Sequence, residues 1–308
     1  MTRVFHLLLS LLLIALPLGA TASEPPLTVP FDFSRHEIGV NVTVKDTPLF
    51  MLLDTGVDPS IIDLARARAL GLPVDTANGG QGSGFGSGKA VVFPATIKRL
   101  KIGARAFGDF EALAIDTTAM SKGYRRPIDG VLGYSFLKDK TVLIDYPSNA
   151  MTLLASTKAA DALTRQCRQH LSIPLLTLGD NHWPVISEFR FGAVTAPVTL
   201  DTGSSRLMGF YQIALQDKRI GDALKVTGTN TGAGARGSFT SKTAVLGVPM
   251  GFGPFSLPAG AAVSLLPTND ETGKMFANIG NQALAALSPM LLLDYAGERI
   301  SFFGDCAR

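Results

Sequence analysis

The chain has 308 residues, enough for one large domain or two ordinary ones, each with its own core. Its 46% hydrophobic and 17% charged residues, with 32 Gly and 18 Pro, are typical of a folded protein rich in strands and turns and exclude a disordered chain. The net charge of +3, with Lys and Arg scattered and no aromatic residues between them, excludes a nucleic-acid partner. The 4 histidines have no metal-ligand spacing, so we expect neither a metal site nor a cofactor.

Residues 1–22 have the pattern of a secretory signal peptide. Arg3 precedes an apolar run from Leu8 to Leu18, which is short for a membrane span and is interrupted by proline. Small residues at positions 20–22 then supply a cleavage site. An uncleaved membrane anchor is the alternative. We therefore expect an exported protein, periplasmic or secreted, with no stable membrane span after signal cleavage.

The chain has two cysteines, Cys167 and Cys306. Disulfides persist in the compartments that exported proteins enter, so these residues could close one bridge between the middle of the chain and its C-terminal end. Two separate thiols are the alternative, because the sequence does not give the distance between them.

The triplet Asp-Thr-Gly occurs twice, at residues 54–56 and 201–203. At the same distance after each copy lies an apolar pair closed by glycine, at Gly133 and at Gly280, and a helix-like stretch follows each glycine. Each half then ends with a strand and a turn. This pattern predicts an internal duplication across nearly the whole mature chain.

Short runs of β-branched and aromatic residues, separated by Gly, Pro, Asn and Asp, indicate a β-rich lobe in each half. Residues 40–54 predict two strands joined by a turn at residues 45–47, which places Asp54 at a strand end. The second half delivers Asp201 in the same way.

One short helix is expected in each half. Residues 59–73 have apolar residues at helical spacing, with Ser60 as the candidate N-cap and Gly71 as the stop signal.

Glycine-rich segments at residues 78–88 and 228–238 occupy the same place in the two halves. The first invites a phosphate-loop interpretation, but a strand rather than a helix follows it, which excludes a dinucleotide site. We predict a mobile hairpin after each aspartate, with a plain flexible loop as the alternative.

Two such triplets, each followed by an apolar-apolar-Gly segment, make residues 29–303 resemble a two-lobed aspartic peptidase of the pepsin and retropepsin-like superfamily, of the exported bacterial type. The resemblance implies an all-β, bilobal pepsin-like acid protease fold, with two duplicated β-barrel-like lobes, short helices and a cleft between the lobes. We expect an N-terminal retropepsin-like lobe at residues 23–155, a connector at 156–172 and a C-terminal retropepsin-like lobe at 173–308.

The resemblance also implies the chemistry. Asp54 and Asp201 would be the catalytic pair, activating a water that attacks the scissile carbonyl without a metal or a covalent intermediate. Two carboxylates held close share a proton, so that one acts as a base while the other acts as an acid.

Five neighbouring residues would support this pair. Gly56 and Gly203 lack side chains, so their backbone N–H groups can approach the carboxylates. Thr55 and Thr202 would form hydrogen bonds across the lobes. Ser204 would donate to the outer oxygen of the second aspartate, whereas a valine stands at the matching place of the first copy.

The family's substrate-binding flap corresponds to the first glycine-rich segment, with Gly82, Gly84, Phe85 and Gly86. Pepsin-like members carry a tyrosine in this flap, whereas Phe85 cannot donate a hydrogen bond.

Two classes of function follow from these features. An aspartic endopeptidase would act as a monomer on a peptide or protein substrate bound between the lobes. The alternative is a catalytically weak peptide-binding or inhibitor-like module on the same fold, which Val57 and the missing flap tyrosine keep open. Intact Asp, Thr and Gly in both copies favour the enzyme.

Overall fold

The computed structural model describes residues 24–84, 86–179, 182–267 and 273–306. The predicted signal peptide, residues 1–22, and Phe85 of the predicted flap lie outside these ranges. Within them, no helix is both long enough and apolar enough to cross a membrane.

The first half of the described chain contains these strands: β1 (Leu27–Pro30), β2 (Ile38–Val44), β3 (Thr47–Leu53), β4 (Ser60–Asp63), β5 (Gly80–Gly82), β6 (Ala90–Ile97), β7 (Leu100–Ile102), β8 (Arg105–Ala106), β9 (Phe110–Ile115), β10 (Gly130–Leu132), β11 (Thr141–Asp145) and β12 (Ala150–Leu154). Strands β2 to β10 form the sheet of the first lobe, in the order β5-β6-β9-β4-β10-β3-β2-β7-β8.

The second half of the described chain contains these strands: β13 (Cys167–Pro174), β14 (Leu176–Leu178), β15 (Trp183–Phe191), β16 (Val194–Leu200), β17 (Met208–Phe210), β18 (Leu224–Gly234), β19 (Gly237–Leu246), β20 (Met250–Phe252), β21 (Phe255–Leu257), β22 (Ala261–Leu265), β23 (Ala277–Ile279), β24 (Met290–Asp294) and β25 (Arg299–Cys306). The sheet of the second lobe follows the order β18-β19-β22-β17-β23-β16-β15-β20-β21, and β14 pairs with β15.

Helices are short and lie between the strands. The described α-helices are α1 (Leu64–Ala69), α2 (Thr118–Tyr124), α3 (Tyr134–Leu137), α4 (Thr157–Thr164), α5 (Lys218–Ala223) and α6 (Asn281–Leu287), and a 3-10 helix spans Gln212–Gln216. The predicted helices after Gly133 and Gly280 are confirmed as α3 and α6.

A third sheet joins the two halves. Its order is β1-β12-β11-β24-β25-β13, so strands from the ends of both repeats lie side by side. Strands β11 and β24 pair antiparallel, with Val142 opposite Leu293. At the edge of this sheet Cys167 lies opposite Cys306 in β25, and the two form a disulfide. The predicted connector, residues 156–172, holds α4 and most of β13, and its role as a boundary between lobes stays a prediction.

The hairpin predicted ahead of the first triplet is confirmed. Its turn residues, Lys45 and Asp46, have φ values of 49° and 66°, the left-handed conformation that a two-residue hairpin turn needs. Strand β3 then runs parallel to β10, with Leu53 opposite Leu132, and in the second lobe β16 runs parallel to β23, with Leu200 opposite Ile279. Both triplets therefore begin where a buried strand ends beside the apolar-apolar-Gly segment.

The predicted start of the first helix is wrong. Ser60 lies in strand β4, and Asp63 is the N-cap of α1, with its side chain accepting a hydrogen bond from the Arg66 backbone N–H. The two isoleucines after Ser60 are β-branched and pair with β9 and β10, which favours a strand. The predicted stop is confirmed, because Gly71 follows the helix with a φ of 58°.

The strands of the first lobe present apolar side chains on both faces. One face packs into the main core, which extends through both lobes and includes Leu53 and Leu132. The other face carries a second cluster, which we name the apolar wall: Phe50, Leu52, Tyr124, Ile128 and Val131. Val57 of the first triplet loop and Ala235 of the second lobe pack against this cluster. The apolar wall therefore lies on the side of the first lobe that faces the second.

Candidate active site

The two predicted aspartates occupy equivalent positions at the ends of β3 and β16. The backbone N–H of Asp54 donates to the Leu132 carbonyl at 3.1 Å, and that of Asp201 donates to the Ile279 carbonyl at 3.0 Å. Each bond anchors a triplet to the neighbouring apolar-apolar-Gly strand. The duplication seen in the sequence therefore becomes a two-fold repeat of backbone contacts around one site.

Thr55 and Thr202 lock the two loops together. Each side-chain hydroxyl accepts a hydrogen bond from the other residue's backbone N–H, at 3.0 and 3.1 Å. Each hydroxyl also donates across the lobes, Thr55 to the Leu200 carbonyl at 2.8 Å and Thr202 to the Leu53 carbonyl at 3.0 Å. Both threonines are buried, so these bonds form away from water and fix one loop against the other.

The triplet glycines allow the carboxylates to approach. The Gly56 N–H donates to Asp54 Oδ1 at 2.7 Å, and the Gly203 N–H donates to Asp201 Oδ1 at 2.9 Å. A Cβ on Gly203 would lie 2.0 Å from Asp54 Oδ2, and one on Gly56 would lie 3.1 Å from Asp201 Oδ1. Each glycine thus touches the aspartate of the other lobe, and a side chain at Gly203 would displace that carboxylate.

The environment favours a proton on Asp54. Burial raises the pKa of Asp54 well above its usual value, and the charge of Asp201 and a hydrogen bond between the two carboxyl groups add to the rise. The backbone hydrogen bond from Gly56 acts in the opposite direction and is the smaller effect. A neutral carboxyl beside a carboxylate is the arrangement that acid-base catalysis by a carboxyl pair requires.

The prediction that Ser204 donates a hydrogen bond to Asp201 is wrong. The Ser204 hydroxyl is buried without a hydrogen-bond partner and faces Gly280, with Oγ 2.9 Å from where a Cβ of that glycine would stand. Asn278 takes the role instead, because its side-chain amide donates to Asp201 Oδ2 at 2.8 Å. The signal in the sequence was the amide itself, a polar residue where the first half has Val131.

Asn281 is a second supporting residue that the sequence did not reveal. Its side-chain amide donates to the Thr202 carbonyl, and its amide oxygen accepts from the Tyr146 hydroxyl at 2.8 Å. Tyr146 belongs to the first half and follows β11. The loop that carries Asp201 is therefore held partly by the opposite half of the chain.

The first loop has different neighbours. The carbonyl of Val57 accepts from the Tyr134 backbone N–H at 2.9 Å, and no side-chain hydroxyl is available at this position. Asp58 lies 2.6 Å from His182 Nδ1 of the second lobe, and the His182 ring stacks on Tyr134 with centroids 3.9 Å apart. The two triplets are thus similar at the aspartates and unequal one residue beyond the glycines.

Both glycine-rich segments form hairpins, as predicted. Gly82 ends β5, and Gly84 and Gly86 have φ values of 114° and 134°. The tip of this hairpin meets the β18–β19 hairpin of the second lobe: the Gly88 N–H donates to the Arg236 carbonyl at 2.7 Å, and Arg236 Nε donates back to the Gly88 carbonyl at 3.0 Å. The role of this flap in substrate binding stays a prediction.

Among the residues that the structure describes, no group of three or more His, Cys, Asp or Glu side chains could hold a metal ion.

Known proteins match the chain in two ways. Residues 40–136 match a family model described as aspartyl protease. Among solved structures, conglutin gamma, a basic 7S globulin from lupine seeds, has a TM-score of 0.51 at 11% identity over 92% of this chain and 95% of its own. Basic 7S globulin from soybean has a TM-score of 0.48 at 12% identity over 91% and 94%. No curated protein matches.

The family match and the structural likeness agree with the geometry of the site. The match covers the first triplet, and the lupine structure shares the two-lobed fold over nearly the whole chain. The chain therefore has a pepsin-like bilobal fold, and its residues 40–136 are similar to the aspartyl protease family.

Proposed function

We propose that the protein is an aspartic endopeptidase that hydrolyses a peptide or protein substrate between its lobes. The observation that carries the proposal is the pair of triplet loops, locked by Thr55 and Thr202, that brings Asp54 and Asp201 together with unequal surroundings. A binding module has no use for two carboxyl groups held at such an electrostatic cost.

The unequal surroundings suggest which carboxyl group begins as the base. Both oxygens of Asp201 accept hydrogen bonds, Oδ1 from Gly203 and Oδ2 from Asn278, which suits the charged form. Burial and the charge of Asp201 keep the proton on Asp54. Asp201 is therefore placed to accept a proton from water, and Asp54 to give one to the substrate.

The reaction then runs in two steps. Asp201 takes a proton from the bound water, whose oxygen attacks the scissile carbonyl carbon, while Asp54 protonates the carbonyl oxygen to give a neutral gem-diol. In the second step Asp54 recovers a proton from one gem-diol hydroxyl, and Asp201 protonates the leaving nitrogen as the C–N bond breaks. The pair ends with one proton on Asp54, as it began.

A mixed peptide library tests this proposal against the alternative of a peptide-binding module. We expect cleavage by the chain from residue 23, strongest at acidic to mildly acidic pH, and inhibition by a statine-type transition-state mimic. Tight binding of the inhibitor without any turnover would instead support the binding module. If the protein showed no turnover and did not bind the inhibitor, both the endopeptidase and the binding module would be contradicted.

We also propose that the protein is exported and acts as a monomer in the periplasm or outside the cell. The support is the apolar segment with small residues at positions 20–22, and the presence of both triplets in one chain. N-terminal sequencing of protein recovered from outside the cytoplasm should begin near residue 23. A cytoplasmic protein that keeps its first residues would contradict the proposal.

A further inference from the structure

Glu37 stands beside the aspartate pair and is not used by the proposed mechanism. It directly precedes β2, in which Ile38 lies opposite Leu53 of β3, so Glu37 stands across from Asp54 at the end of the hairpin. From the second lobe, Ser205 lies near enough to the Glu37 carboxyl group to oppose the rise in its pKa. Glu37 therefore lies where the two lobes meet, next to the site.

Two polar atoms at this end of the cleft lack partners. Glu37 Oε2 is buried and has no hydrogen-bond partner, and the same holds for the hydroxyl of Tyr124. Tyr124 is only 6% exposed, and its hydroxyl lies within electrostatic reach of Glu37. Buried oxygens without a partner are unfavourable, so a ligand that supplies hydrogen-bond donors here would recover that free energy.

Largely buried apolar side chains lie beside these atoms. Tyr124 belongs to the apolar wall, where its ring packs on Phe50 with centroids 5.6 Å apart. Val57, three residues after Asp54, packs against the same wall. A side chain that enters from the aspartate pair would thus lie along hydrophobic groups before it reaches Glu37. Such a path suits a long side chain with an apolar stem and a polar tip.

The charges around Glu37 leave it without an ion-pair partner. Arg126 is matched by Asp32 at 3.2 Å, and the Arg206 guanidinium lies over the Phe239 ring at 4.9 Å. Among the described residues, neither Arg206 nor Arg35 lies within 4.0 Å of a carboxylate oxygen of Glu37.

The acidity of Glu37 shows how weakly these arginines act on it. Burial raises the pKa of Glu37 to about 7, and Ser205 has the largest opposing effect. The attraction of Arg35 and Arg206 is smaller still.

We propose that Glu37 and Tyr124 form a subsite for a basic substrate residue, with the guanidinium or ammonium group bound by Glu37 and the methylene groups lying on the apolar wall. This inference rests on the proposed peptidase function. It deepens that function by naming the class of side chain, Arg or Lys, that one position near the scissile bond would prefer.

The preference should depend on pH. In the empty cleft Glu37 loses its proton near pH 7, because its pKa is about 7. A cation binds the charged form, whereas a neutral side chain does not distinguish the two forms. Preference for a basic residue should therefore rise between pH 5 and pH 7, even while total cleavage falls.

Paired peptides that differ only by Arg or citrulline test the subsite, because citrulline keeps the shape of arginine and lacks its charge. The pair is varied one position at a time around a cleaved bond, and kcat/KM is measured at pH 5 and pH 7. We expect wild type to prefer Arg at one position by on the order of 10-fold at pH 7 and less at pH 5. Glu37→Gln should lose the preference for Arg over citrulline at pH 7, whereas the control Glu188→Gln, at an exposed residue of β15, should keep it.

Each other outcome overturns the inference. Wild type that cleaves both peptides equally at every position, or that prefers citrulline to Arg, would contradict a cationic subsite while leaving the peptidase intact. A preference for Arg that survives in Glu37→Gln would do the same. Wild type that cleaves neither peptide would overturn the proposed function and this inference with it.

Discussion

Thr55 and Thr202 exchange hydrogen bonds across the two halves of the chain, each hydroxyl accepting from the other's backbone N–H and donating to a carbonyl of the opposite lobe. These bonds hold the backbone of both triplets at once. Because the aspartates precede the threonines directly, any loosening of the pair changes the separation of the carboxylates. Stability and activity should therefore depend on the same two side chains.

Thr202→Val should show this dependence. The change keeps the shape of the side chain but leaves the Thr55 N–H and the Leu53 carbonyl without partners, at about 1–3 kcal/mol for each buried group. We expect a lower unfolding free energy by urea titration and a kcat/KM reduced by on the order of 10-fold or more. Thr202→Ser, which keeps the hydroxyl, should stay close to wild type, and a Val variant equal to it in both measurements would refute the role.

Asp54 should make the protein less stable as pH rises. Its pKa is raised in the folded state, so above about pH 4 the folded chain binds more protons at this group than the unfolded chain does. Stability from this group is therefore present at low pH and lost as pH rises towards the folded pKa. Asp54→Asn removes the penalty, so its stabilisation relative to wild type should be larger at pH 7 than at pH 4. Denaturation at both pH values checks this, and a pH-independent difference would contradict it.

Asn278→Val gives the second half the valine that the first half has at the equivalent position, Val131. The variant loses the hydrogen bond to Asp201 Oδ2, so the charged form of the pair becomes harder to reach. We expect kcat to fall by on the order of 10-fold, the acidic limb of the pH profile to move to higher pH, and KM to change little. The variant Val131→Ile, on the equivalent strand, serves as a packing control. An unchanged pH profile in Asn278→Val would show that the amide has no part in the chemistry.

The disulfide should stabilise the sheet that joins the lobes. Cys167 and Cys306 are separated by 139 residues, and closing so long a loop is worth about 4–5 kcal/mol in the chain-entropy model. We expect the double variant Cys167→Ser, Cys306→Ser to unfold at a lower urea concentration than wild type. Its kcat/KM at a temperature where it remains folded should be unchanged. Equal urea midpoints would mean that the bridge does not constrain the unfolded chain.

The parts of the site that follow from backbone repetition could be predicted from the sequence. The two triplets, their strands and the hairpin turn at Lys45 and Asp46 depend on local signals, namely residues that favour strand ends and left-handed turns. Equal spacing in the two halves then placed Asp54 and Asp201 at equivalent positions. The fold class followed from the resemblance to aspartic peptidases that the two triplets carry.

The side-chain partners could not be predicted in the same way. Whether Ser204 or Asn278 reaches Asp201 depends on the side-chain rotamers and on the exact position of strand β23 beside the loop, which no local sequence signal determines. Ser60 carried an N-cap signal, but pairing of β4 with two neighbouring strands outweighed it. The contact of Tyr146 with Asn281 depends on the sheet that joins the halves, whose long-range pairing has no local signature.

The most direct test of the central claim is peptide cleavage by Asp54→Asn and Asp201→Asn beside wild type, with Asp109→Asn, at an exposed residue that pairs with Lys98, as the control. Removing either member of the pair should abolish turnover of the mixed peptide library, since neither carboxyl group can act as both acid and base alone. The control should keep full activity. Cleavage that persists in both Asp54→Asn and Asp201→Asn would contradict the account.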